Sequence, residues 1–145
     1  MRTAALAVSL VFVAACAPKE QAEAPAPPAA PTVTLADFAG TWNTTVTMTG
    51  AAAPVETQLV GTPDGSWNMI AAGRDPIPLT VSLVGDSLIA VSAEYESLIR
   101  PGVRVTTRTA SVRSGDTMSG NVVATYKSAS GDEVVTGTMT STKAP

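Results

Sequence analysis

Met118-Ser119-Gly120-Asn121-Val122-Val123-Ala124-Thr125-Tyr126 reads as a half-buried β-strand. Met118, Gly120, Val122, Ala124 and Tyr126 recur at a period of two, which puts them on one face of an extended chain. Ser114-Gly115-Asp116 precedes the run and Ser130-Gly131-Asp132 follows it, and both triplets favour tight turns. A strand held between two such turns is the middle member of an antiparallel meander.

The same pattern extends outward in both directions. Trp42, Thr44, Val46 and Met48 share a face, as do Leu79, Val81 and Leu83. Ile89, Val91, Ala93 and Tyr95 form another such set, and Val103 and Val105 a further one. Turn signals separate these runs at Thr62-Pro63-Asp64-Gly65, Gly85-Asp86 and Pro101-Gly102. Eight strands are therefore expected, at roughly 40–49, 55–61, 66–72, 77–84, 87–95, 102–113, 117–127 and 133–142. Only 35–38 reads as a helical turn. About 110 residues follow the tether described below, enough for one domain with a single core. The fold class is all-β. Eight consecutive strands joined by short turns close most economically into an antiparallel up-and-down barrel, which removes both sheet edges. A sandwich of two four-stranded sheets satisfies the same pattern.

Phe38-Ala39-Gly40-Thr41-Trp42 opens the first strand in a way that resembles the Gly-x-Trp signature of lipocalins. The resemblance implies that Trp42 plugs the closed end of a barrel behind Gly40, and that a basic residue near the last strand packs across it. Lys143 is the residue available for that role, although lipocalins use arginine. The chain departs from the pattern in its short strands and in lacking a recognisable C-terminal helix. It is closer to compact lipocalin-like domains of bacterial envelope lipoproteins.

The other end of the chain carries its own signal. Arg2 and the apolar run Ala4–Ala15 read as a cleaved export signal over residues 1–15, too short to span a bilayer well. Val13-Ala14-Ala15-Cys16 resembles the lipobox of bacterial lipoproteins, which implies lipidation of Cys16, the only cysteine in the chain. Two or more acyl chains hold a protein stably on a membrane. Ala17, in place of an aspartate, implies an outer-membrane destination, with the domain in the periplasm or at the surface. Residues 16–34 then form the lipidated cysteine and a Pro/Ala-rich tether, and at about 3.1 Å per residue it reaches roughly 50 Å. Residues 35–145 form the barrel domain.

Chemistry is sparse. The chain has no histidine, and lipidation of Cys16 leaves no free thiol, so the commonest general base and metal ligands are missing. No phosphate-binding glycine loop or nucleophile elbow is present. No catalytic residue, metal site or cofactor is expected, and the protein is read as a non-enzyme. A net charge of −3 and few aromatic residues argue against nucleic acid.

Arg100, Arg104 and Arg108 are spaced by four and share one strand face, while Arg113 has the opposite parity. One reading is an outward salt-bridge ladder with Glu94 and Glu96. The other is an anion site for a carboxylate or phosphate headgroup inside the barrel or at its mouth, with Arg104, Arg108 and Tyr95 as ligand contacts. Two functions follow for an envelope lipoprotein of this kind. In one the barrel binds a small apolar or amphiphilic molecule; in the other a filled barrel meets a second envelope protein through its outer face.

Overall fold

The computed structural model describes residues 33–145. The export signal, Cys16 and most of the tether lie outside the described residues. A short helix α1 (Leu35–Phe38) precedes β1 (Gly40–Met48), β2 (Val55–Gly61), β3 (Trp67–Ile70), β4 (Ile77–Val84) and β5 (Ser87–Ser92). The two-residue β6 (Tyr95–Glu96) follows, then β7 (Arg104–Ser114), β8 (Thr117–Tyr126) and β9 (Glu133–Lys143).

Every pairing is antiparallel. Consecutive strands pair from β1 to β5 and from β7 to β9. β1 also pairs with β9, and β5 with β7, which closes an eight-stranded up-and-down barrel with β6 as an extra short strand beside β7. Closure excludes the sandwich: no strand of the eight is left with an unpaired edge to form a second sheet.

Alternation inside the barrel follows the hydrophobic pattern. On β8 Met118, Val122, Ala124 and Tyr126 are buried, while the residues between them are exposed or half-buried. Gly120 shares the inward parity of Met118 and Val122, and Ala110 and Ser111 on β7 approach it too closely for a side chain.

The two ends of the barrel differ. One end is sealed by α1 and by Trp42, which is fully buried and whose indole Nε1 donates to the Phe38 carbonyl at 2.7 Å. The helix is held at its start by Asp37, whose carboxylate accepts from the Thr34 backbone N–H at 2.7 Å and from its hydroxyl at 2.8 Å. These hydrogen bonds hold the Asp37 carboxyl below its ordinary pKa. At the other end, the β6–β7 connection folds across the mouth.

One strand departs from the expected pattern. Between the pairs Val91↔Arg108 and Tyr95↔Val105, one edge advances four residues and the other three. That is a β-bulge at Ala93-Glu94. The Ala93 N–H turns to the Pro78 carbonyl at 2.9 Å, and the Ser92 hydroxyl takes the Thr107 N–H at 2.8 Å. The bulge resets the parity. Leu88, Ala90 and Ser92 face inward before it and Tyr95 after it, so Ile89 and Val91 do not share Tyr95's face.

Candidate functional site

The inner half nearest the sealed end is packed with Phe38, Trp42, Trp67, Met118 and other large side chains. Toward the mouth the inward residues become smaller: Thr44, Val46, Thr57, Val105, Thr107 and Ala124. Eight strands leave an interior that side chains just fill or that holds one small molecule. Small residues in this layer leave a cavity of about 70 Å³.

Leu98 and Ile99 close the cavity from above. They sit in the loop between β6 and β7, which satisfies its own backbone. Ser97 N–H donates to the Val103 carbonyl at 2.8 Å, and the Ser97 hydroxyl accepts from Ile99 and Arg100 N–H at 3.2 and 3.0 Å. Gly102, at φ 79°, makes the turn behind Pro101, and its N–H donates to Glu96 at 3.0 Å. Arg74 supports the near end of the loop by donating to the Glu96 carbonyl at 2.7 Å.

Arg100 fastens the far end. Its guanidinium lies 4.1 Å from the Tyr126 ring centroid and makes two hydrogen bonds to Glu133, at 2.7 and 3.0 Å. Arg100 holds the Glu133 carboxyl below its ordinary range, chiefly through those hydrogen bonds, and its own pKa is raised in turn. Outside the Leu98-Ile99 plug lies a groove of about 640 Å³ between the 49–54 loop, Arg100 and Val135. Leu98 and Ile99, with Met48, Val55 and Tyr126, thus lie between a small apolar cavity and a larger open groove.

The expected ligand contacts divide. Tyr95 lines the cavity, turned inward by the bulge, and burial lifts its phenol above the ordinary value of 10.0. Arg104 and Arg108 do not reach the cavity. They fall on the outward parity of β7, because Val105, Thr107 and Thr109 occupy the inward one. Arg104 instead pairs with Glu94 at 3.0 Å on the rim, as the ladder reading expects. Arg108 is exposed on the outer wall opposite Val91 and Val123. Arg100 leaves the common face of the three arginines because it precedes β7 and belongs to the loop.

The residues of the Gly-x-Trp stretch sit together at the sealed end. Trp42 and Lys143 are direct partners across β1 and β9, with the Lys143 Nζ 5.5 Å from the indole. Gly40 has φ 127°, and a Cβ there would stand 3.1 Å from the Lys143 side chain. Arg113 is the residue that sequence reasoning passed over. Its guanidinium lies 5.8 Å from the Trp42 ring and donates to the Asp37 and Gly115 carbonyls. Its inward parity on β7 was the available signal.

No protein-family model matches the chain, and no curated protein matches it either.

Proposed function

We propose that this protein is a lipid-anchored bacterial envelope protein whose barrel takes up a small apolar or amphiphilic molecule at its open end. The observation that supports this reading is the apolar cavity under Leu98 and Ile99, two of the residues that also line the larger groove outside. A pocket walled mainly by aliphatic side chains, with a few polar groups, is the usual form of a small-molecule site. In this reading no catalytic step is involved, and the barrel holds its ligand without cofactor or metal. Cys16 supplies the membrane anchor, at the outer membrane, and nucleic acid is no partner.

The test uses the full chain carrying Cys16→Ser, exposed to a bacterial solvent extract that holds both lipids and small neutral molecules, and examined by native mass spectrometry. A retained adduct that disappears in Val122→Phe, with cooperative melting preserved, supports a binding barrel. A bare protein under the same conditions sinks it. Lipidation is tested separately: incorporation of a labelled fatty acid should require Cys16.

A second reading is a protein-interaction module. It draws on Val84 and Val112, 65% and 49% exposed, which flank Ser87 on the outer wall of β4, β5 and β7. Cross-linking in envelope preparations that is lost in Val84→Asp/Val112→Asp would favour it.

A further inference from the structure

The cavity has a chemical signature that narrows what it takes, and the argument rests on the binding-barrel reading above. No charged residue lines it. Three of its hydroxyls are satisfied within the wall. The Thr44 hydroxyl pairs with Ser141 at 2.7 Å, the Ser97 hydroxyl accepts two backbone N–H groups, and Thr109 reaches the Ala90 carbonyl at 3.4 Å.

Thr57 is the exception. It lines the cavity, is 7% exposed, and its Oγ1 has no hydrogen-bond partner among the described residues. Its cross-strand neighbour Thr44 pairs with Ser141, and no wall group makes a hydrogen bond to the Thr57 hydroxyl. A buried hydroxyl left unpaired is costly, and native folds seldom keep one without a reason.

Size and polarity restrict what can partner it. At about 70 Å³ the cavity is roughly half of one known to admit benzene, and several times the space a single water needs. Water in such a site requires two to four polar partners. Thr57 supplies the one buried lining hydroxyl without a partner among the described residues, while Val46, Leu59, Met69, Val122 and Met139 supply hydrocarbon. A charged molecule would be stripped of water with no counter-ion at hand.

We infer that the cavity beside Thr57 is a site for a compact, neutral molecule with one hydrogen-bonding group on a short hydrocarbon body, such as a small alcohol or ketone. The Thr57 hydroxyl meets the polar group, and the aliphatic wall covers the rest. A long acyl chain does not fit while Leu98 and Ile99 stay in place.

The experiment titrates the full chain carrying Cys16→Ser with ethanol and with propane, which have equal numbers of non-hydrogen atoms and about half the bulk of benzene. Binding is read from the methionine methyl resonances. Met48, Met69 and Met139 line the cavity and should shift, whereas Met118 lies outside the lining and should stay still. In Thr57→Val, which exchanges the hydroxyl for a methyl group, ethanol affinity should fall about threefold to tenfold while propane affinity holds or rises. Thr57→Ser, which keeps the hydroxyl, should keep the preference, and it guards against a folding artefact in the valine variant. Equal responses of the two ligands to Thr57→Val would overturn the inferred ligand class and leave a purely apolar binding site. No methyl shift with either ligand would overturn this inference and the binding-barrel reading together.

Discussion

The guanidinium of Arg100 stacks on Tyr126 at 4.1 Å while gripping Glu133 at 2.7 Å, so one side chain ties the β6–β7 loop to both β8 and β9. Leu98 and Ile99 precede it in the same loop, and their place over the cavity depends on where Arg100 is held. In Arg100→Ala the barrel strands should keep their amide protection, while Ile99 to Val103 exchange severalfold faster. Ligand exchange should accelerate with it, because the plug opens more often. Unchanged exchange in this loop would show that the Ser97 hydroxyl network alone holds the plug.

The same latch carries a pH dependence. Glu133 has its folded-state pKa lowered by the Arg100 hydrogen bonds. A depressed carboxylate pKa contributes stability above the unfolded value, here 4.5, and that contribution is lost as pH falls through the folded value. The loop should therefore loosen below about pH 4.5, and stay latched at neutral pH. Both groups are exposed, so salt weakens the pair as well. Following the Tyr126 ring resonances from pH 7 to pH 3 checks this. Glu133→Gln should remove the acid transition, and a transition that survives it would assign the effect to another carboxylate, Asp37 and Asp64 also being lowered by hydrogen bonds.

Much of this architecture was legible from residue order. The alternation on β1, β4 and β8 and the turns at Gly85-Asp86 and Ser114-Gly115-Asp116 mark elements that the structure reproduces within a few residues. What alternation could not reveal was the bulge at Ala93-Glu94. A single extra residue inverts every later side chain on that edge, and no local signal distinguishes it from a continuous strand. The cavity was equally hidden, since it depends on how the inward layers line up across strands. Nothing in Leu98-Ile99 marks the pair as a plug, because the segment follows an extended run with only Pro101-Gly102 to announce a turn. Arg104 shows the opposite case: its outward parity follows from Val105, and its partner Glu94 was already in view.

Close approach between β2 and β3 yields a third prediction. Gly61 and Trp67 are direct cross-strand partners, and a Cβ on Gly61 would stand 2.1 Å from the indole. Gly61 is not among the glycines with positive φ, so the requirement is space rather than backbone freedom. Gly61→Ala should cost about 1–3 kcal/mol in urea unfolding through overpacking. Trp67→Val alone should also destabilise, by loss of a nearly fully buried ring. Combining them should cost less than the sum, because the clash vanishes with the ring. Strict additivity would show that the alanine acts through something other than Trp67.

At the sealed end, Trp42 is approached by two cations with unequal duties. Lys143 contributes a charge 5.5 Å from the ring and an aliphatic stem packed near Gly40. Arg113 lies at 5.8 Å, and it also donates to the Asp37 and Gly115 carbonyls, tying α1 to the β7–β8 turn. Each cation–ring contact is worth about 0.5–1 kcal/mol. Arg113→Ala should therefore destabilise more than Lys143→Ala, since it also leaves two carbonyls to find water. Arg113→Lys should recover only part of the loss, because an ammonium lacks the planar fork that serves both carbonyls at once. Trp42→Phe should cost about 1–3 kcal/mol by deleting the indole donor to Phe38 and leaving its buried carbonyl unpaired. Chemical denaturation of the four variants ranks them. A larger cost for Lys143→Ala than for Arg113→Ala would place the weight of the closure on β9 instead of β7.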